Sequence, residues 1–170
     1  MKGSSTALLL QRSAKTAVPR CRYQEQDSPQ TLAEGLSEYY RANEGRVLRP
    51  DSLSDESRSL FASHDLCHVI FGLGTTIDDE AVADTRTMLS CDVGFGRYMR
   101  YLKTNPDAQA IFREVGIGRI VWITLVAVPR LLKALVEGFR MREKWPWDVP
   151  ADHLAASLAS LRKRYGIRVI

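Results

Sequence analysis

The chain has 170 residues and a mass of 19.1 kDa, with 45% hydrophobic and 26% charged residues. That composition excludes collagen-like, low-complexity and wholly disordered chains and suits a single globular domain. Three cysteines, Cys21, Cys67 and Cys91, exclude a disulfide scaffold, and their odd number points to a reducing compartment. The net charge of +4 is unevenly spread: residues 1–24 carry no acid, 25–96 have a net charge of −9, and 97–144 one of +6. An acidic first half suits a cation, and a basic second half suits phosphate or anionic lipid.

Residues 1–24 read as a basic, disordered arm ahead of one helical domain over 25–170. The apolar run Ala7–Leu10 is too short for a secretory signal, although the acid-free, Ser/Thr/Arg-containing arm is compatible with an organellar transit peptide. No stretch reaches the roughly 18 apolar residues of a spanning helix.

Period-two alternation is scarce and three-to-four periodicity abundant, so the predicted fold class is all-α, with six to seven helices. A first helix is expected over 29–43, with Leu32, Leu36, Tyr39 and Tyr40 on one side, and 46–50 as a connector. Ser52–Asp55 resembles a capping box. It opens a helix to about Leu73 whose apolar face holds Leu60, Phe61, Cys67, Val69, Ile70 and Phe71, and Gly72 and Gly74 let the chain leave it. Asp78-Asp79-Glu80 complement the dipole of the next helix, predicted to run to Lys103 with a bend at Gly94 or Gly96. Thr104-Asn105-Pro106 breaks it, and another helix starts near Asp107. Ile120–Val136 reads as a hydrophobic helix kinked or restarted at Pro129. After Pro150, Leu154, Leu158, Leu161 and Tyr165 form one stripe, closed by Arg162-Lys163-Arg164 and a Gly166 cap. His153 reads as a surface histidine, and Cys21 and Cys91 as unreactive thiols.

The sharpest feature is His64-Asp65-Leu66-Cys67-His68. Histidines four apart share one helix face and are close enough to share a metal ion. Glu80, twelve residues after His68, starts the following helix, and a turn between the helices returns it toward the same cation. Two imidazoles and two carboxylates suit Zn²⁺, Mn²⁺, Co²⁺ or Fe²⁺. The bland alternative is an ordinary helix with one half-buried and one exposed histidine. Two of the three histidines falling at metal spacing inside an acidic segment weigh against it. Other chemistries fail on inventory. A zincin needs Glu at 65, and an HD-type phosphohydrolase needs a histidine before His64. Cys67 is one residue from His68 and poorly placed to act with it as a protease pair, and no CxxC zinc motif is present.

The HDxxH motif, eleven residues and then Glu80 resembles the signature of the coenzyme Q (ubiquinone) biosynthesis protein 4 family. Gly72 and Thr75-Thr76 between the ligands are similar too, as is the closing Leu-Arg-Lys-Arg-Tyr-Gly-Ile. The likeness is marked over about 30–90, slight over 91–144 and intermediate over 150–168. It implies an all-helical, membrane-associated protein binding a polyprenylated ring compound, with His64, Asp65, His68 and Glu80 holding a divalent metal, Zn²⁺ first, at a catalytic site between two consecutive helices. The implied reaction is C1 decarboxylation of a polyprenylated hydroxybenzoate, a lyase activity coupled to hydroxylation. The implied partners are the quinone precursor, other quinone biosynthesis enzymes, the membrane surface and a second copy in a homodimer, with no nucleic acid. The implied location is cytoplasmic and peripheral on a bacterial inner membrane, or on the matrix side of the mitochondrial one. Beside this stand a non-catalytic prenyl-lipid scaffold and an unrelated metallohydrolase. Ile120–Leu135 with Arg119, Arg130 and Lys133 lines an isoprenoid groove, dips into the membrane surface or simply forms core. Arg97, Arg100 and Lys103 are candidates for lipid phosphate, and Trp145-Pro146-Trp147 either for an interfacial anchor or for packing at a helix junction.

Overall fold

The computed structural model describes residues 20–47, 55–106, 109 and 117–170. The described residues form a 3₁₀ turn, Arg22–Gln24, and seven α-helices with no strand. The helices are α1 (Leu32–Ala42), α2 (Asp55–Phe71), α3 (Ile77–Ser90), α4 (Gly94–Thr104), α5 (Ile117–Phe139), α6 (Ala151–Ala155) and α7 (Leu158–Tyr165). The expected all-α class is observed. The capping box at Ser52, the 46–50 connector beyond Val47 and nearly all of the helix expected from Asp107 lie outside the described residues, as do positions 1–19 of the arm.

Helix α1 starts where Thr31 and Glu34 form a reciprocal capping box, the Thr31 hydroxyl accepting from Glu34 N at 3.2 Å and the Glu34 carboxylate from Thr31 N at 2.8 Å. Its Leu32 and Tyr39 are buried against the apolar face of α2, where Leu60, Cys67, Val69, Ile70 and Phe71 are buried as expected. Gly35 allows the close approach, since a Cβ there would stand 2.8 Å from Val69 Cγ1. The last residues assigned to the arm belong to this core. Tyr23 is buried, and its hydroxyl donates to Leu73 O at 2.9 Å.

Helix α3 packs chiefly against α5. The inner side of α5 buries Ala127 and Ala134, while Leu125, Val128, Leu132, Val136 and Phe139 stand exposed. These five recur at three- and four-residue steps and make one apolar stripe facing away from the body. Of the kink or restart expected at Pro129, the restart does not occur: α5 runs through it as one helix. Pro129 and Leu125, whose carbonyl loses a donor to the ring, are both exposed. Among the described residues, no helix is long and apolar enough to cross a membrane.

Other expectations are corrected as well. The helix expected from Asp78 to Lys103 with a bend at Gly94 or Gly96 is two helices, broken outright at Cys91–Val93, with Gly94 (φ +69°) starting the second. The break arises because the backbone there pairs with the 145–147 segment: Asp92 N donates to Trp145 O (3.0 Å), Trp145 N to Ser90 O (2.9 Å) and Trp147 N to Asp92 Oδ1 (2.7 Å). The same pairing buries Trp145 and Trp147, so of the two expectations for them it is packing at a helix junction that holds, not the interfacial anchor. The C-terminal stripe likewise splits into α6 and α7. Ala156 and Ser157 leave the helical conformation to meet the start of α1, with Leu32 N on Ala156 O and Leu158 N on Gln30 O. His153 is buried, not at the surface: its Nε2 lies 2.8 Å from the Tyr165 hydroxyl and its Nδ1 3.1 Å from Asp152. One partner, Asp152, is its sequence neighbour, and the other, Tyr165, lies across that break.

Candidate metal centre

The site is built by the turn between α2 and α3. At the C-terminus of α2, Leu73 N donates to His68 O (2.8 Å) and Gly72 N to Val69 O (3.2 Å), the paired closure of a Schellman motif. Gly72 has φ +69°, and a Cβ would stand 2.7 Å from Val169 Cγ1, so both backbone angle and space call for glycine. The reversal carries Gly74 O back to the helix, 2.8 Å from His68 Nδ1. A carbonyl can only accept, so Nδ1 bears the proton and Nε2 of the neutral ring presents a lone pair.

Helix α3 then begins under tight control. Thr76 caps it, accepting from Asp79 N at 3.2 Å, while Thr75 Oγ1 donates to Asn43 Oδ1 at 2.7 Å. Arg130 of α5 donates to Asp79 Oδ1 at 2.6 Å and ties this first turn to the long helix. The next residue, Glu80, faces α2, with Oε2 3.5 Å from His68 Nε2.

His64, His68 and Glu80 converge. One ligand atom from each lies within 4.8 Å of the other two, and the imidazole centroids are 4.8 Å apart. His68 is fully buried, and the Nε2 atoms of both histidines are buried without a hydrogen bond. Such atoms are costly unless something binds them, and imidazole nitrogens beside a carboxylate are the donor set of Zn²⁺ and similar divalent ions. The residues fit a metal.

Asp65, expected beside these three, points elsewhere. It is buried on the side of α2 that faces α1, accepting from the Tyr40 hydroxyl at 2.9 Å and lying 3.5 Å from that of Tyr39. Burial drives its pKa up to about 6, a rise that the nearby imidazoles and the Tyr40 hydroxyl only partly offset. A carboxylate that sequence reading did not single out, Asp84, stands against His64 instead, Oδ1 to Nε2 at 3.3 Å. Burial alone would lower the His64 pKa, but Asp84, with Glu80 behind it, outweighs that and raises it to about 9. Tyr98 of α4, buried, donates to the same Asp84 oxygen at 2.6 Å, and its ring lies nearly parallel to that of His64. The available signal for Asp84 was its spacing: four residues beyond Glu80, it shares that residue's helix face. Behind the site, Cys67 Sγ and Cys91 Sγ are 3.6 Å apart, both buried free thiols.

Comparison of the chain with protein-family models, with curated proteins and with solved structures gives no match.

Proposed function

We propose that this protein acts in ubiquinone biosynthesis as a metal-dependent lyase, releasing the C1 carboxyl group of a polyprenylated hydroxybenzoate as carbon dioxide with coupled hydroxylation there, a two-electron oxidation for which dioxygen is the oxidant. The reading rests on the HDxxH–eleven–Glu spacing. The observation that carries it is the convergence of His64, His68 and Glu80 with two buried imidazole nitrogens that no hydrogen bond satisfies. A divalent ion held there would supply Lewis-acid polarisation of the ring carboxylate and phenolate oxygens. The chain's own contribution is orientation. Gly74 O fixes the His68 tautomer, and the Thr76 cap and Arg130–Asp79 pair hold Glu80 against His68. The exposed stripe of α5 would meet the polyprenyl tail or the membrane that holds it.

That same stripe favours a second reading, a prenyl-lipid-binding scaffold in which the metal only joins α2 to α3. Elemental analysis of untagged protein tests the first step. The expected result is about one divalent ion per chain, lost in the His64→Ala/His68→Ala double variant. Metal retained in that variant, or none in either protein after reloading, overturns the site. With metal in place, carbon dioxide release from a polyprenylated hydroxybenzoate supports the lyase. Metal binding without any turnover leaves the scaffold.

A further inference from the structure

We propose that Asp84, rather than Asp65, is the carboxylate that joins His64, His68 and Glu80 around the divalent ion, with Tyr98 as its positioning residue. The inference rests on the metal reading above and concerns which side chains of this chain complete the site.

Four observations carry it. The first is distance. Ligand atoms about 2.0–2.1 Å from a tetrahedral ion lie about 3.3–3.4 Å from one another. The two imidazole–carboxylate contacts here, His64 Nε2 to Asp84 Oδ1 at 3.3 Å and His68 Nε2 to Glu80 Oε2 at 3.5 Å, are at that spacing. Neither contact has the geometry of a hydrogen bond, and each imidazole–carboxylate pair stands at the separation of two ligands that share a cation.

The second is the repeat in α3. Glu80 and Asp84 are one helical turn apart, as are His64 and His68 in α2, so two antiparallel turns offer matched pairs: His68 against Glu80 and His64 against Asp84. Asp65 cannot join without a change of partner. Successive residues on a helix are rotated by about 100°, which turns Asp65 from the His64–His68 face toward Tyr39 and Tyr40, where its carboxylate is engaged.

The third is support. Metal-binding carboxylates are themselves hydrogen-bonded, and Asp84 accepts from Tyr98 at 2.6 Å. Tyr98 is held edge-on against Trp147, with ring centroids 5.8 Å apart. The fourth is burial: His68, fully buried with Nε2 free of hydrogen bonds, is aimed into this space.

The test uses Co²⁺ alone as the probe, titrated into metal-stripped full-length protein, with a chromophoric chelator as competitor and the visible absorption of the bound ion as the report on its ligands. Asp84→Asn keeps the size of the side chain and removes its charge, and Asp65→Asn is the comparator. Circular dichroism confirms that both are folded. Asp84→Asn is expected to weaken Co²⁺ binding by more than the roughly 10–100-fold that losing a ligand's hydrogen-bond partner costs, and to change the absorption spectrum. Tyr98→Phe falls within about 10–100-fold with the spectrum kept, and Asp65→Asn stays within a few-fold of the parent protein. An affinity loss in Asp65→Asn that equals or exceeds that in Asp84→Asn overturns the assignment. So does an Asp84→Asn protein with parental affinity and spectrum, which would make Asp84 an ion-pair partner of His64 only. Failure of the parent protein itself to bind Co²⁺ sinks the metal reading instead, which keeps the two failures distinct.

Discussion

Arg162, near the end of the chain, donates through Nε to the carbonyl oxygen of Ile70 at 2.9 Å, in the last turn of the helix that carries His68. The same guanidinium donates to Val69 O at 2.9 Å and Tyr23 O at 2.6 Å, and also reaches Glu25 O. Arg162 is fully buried, and its hydrogen bonds are to carbonyls, so desolvation lowers its pKa to about 10 while it remains a cation at neutral pH. It joins the C-terminus of α2 to the 3₁₀ turn, and a cation there also complements the helix dipole. Replacing it leaves buried carbonyls without donors, each costing about 1–3 kcal/mol. Arg162→Met is therefore expected to lose about 3–5 kcal/mol of unfolding free energy, read as a fall in the urea midpoint. Arg162→Lys should recover only part, since an ammonium lacks the planar fork of donors. A midpoint unchanged in Arg162→Met would show that the cluster contributes nothing net.

Acid should loosen the first turn before the core. Glu38 accepts from Arg22 N at 3.1 Å and Tyr23 N at 3.0 Å. Partial burial pushes its pKa up, but these two N–H groups prevail and hold it below the ordinary 4.5. A carboxylate with a depressed pKa stabilises the fold above its unfolded value and loses that contribution as pH falls through the folded one. Glu38→Gln should cost about 1 kcal/mol at neutral pH, a modest figure because the group is partly solvated. The difference between parent and variant should shrink as pH drops below 4.5 and vanish once the parent carboxylate is protonated. Denaturant unfolding at a series of pH values checks this, and a difference that persists unchanged into acid contradicts it.

The outward stripe of α5 separates stability from lipid binding. Phe139 is 82% and Leu132 57% exposed, so Leu132→Ser/Phe139→Ser should change stability by only about 0.5 kcal/mol per site. Lys133 of α5 and Arg140 just beyond it are exposed, as are Arg97, Arg100 and Lys103 of α4. Flotation with vesicles containing anionic phospholipid is expected to show binding by the parent protein that weakens with salt and falls several-fold in the double variant. Equal flotation of the two proteins would remove the stripe from the membrane reading.

Much of the site is local geometry and therefore legible in the sequence. Two histidines four apart must share a helix face, and Gly72 must end a helix that needs a left-handed residue there. Acids after Thr76 must open the next helix, which returns Glu80 to His68. The all-α class and the apolar face of α2 follow from the same periodicity. Where segments distant in the chain meet, periodicity is silent. The pairing of 90–92 with 145–147 divides α3 from α4, and the meeting of Ala156–Ser157 with the start of α1 divides α6 from α7, because each takes backbone groups that a continuous helix would have used. The same dependence on distant partners buries His153 against Tyr165 and engages Asp65 with the tyrosines of α1. It also sets Asp84 and Tyr98 beside His64. Sequence spacing determines which side chains leave one helix on the same side; only the packing of helices against one another decides what those side chains meet.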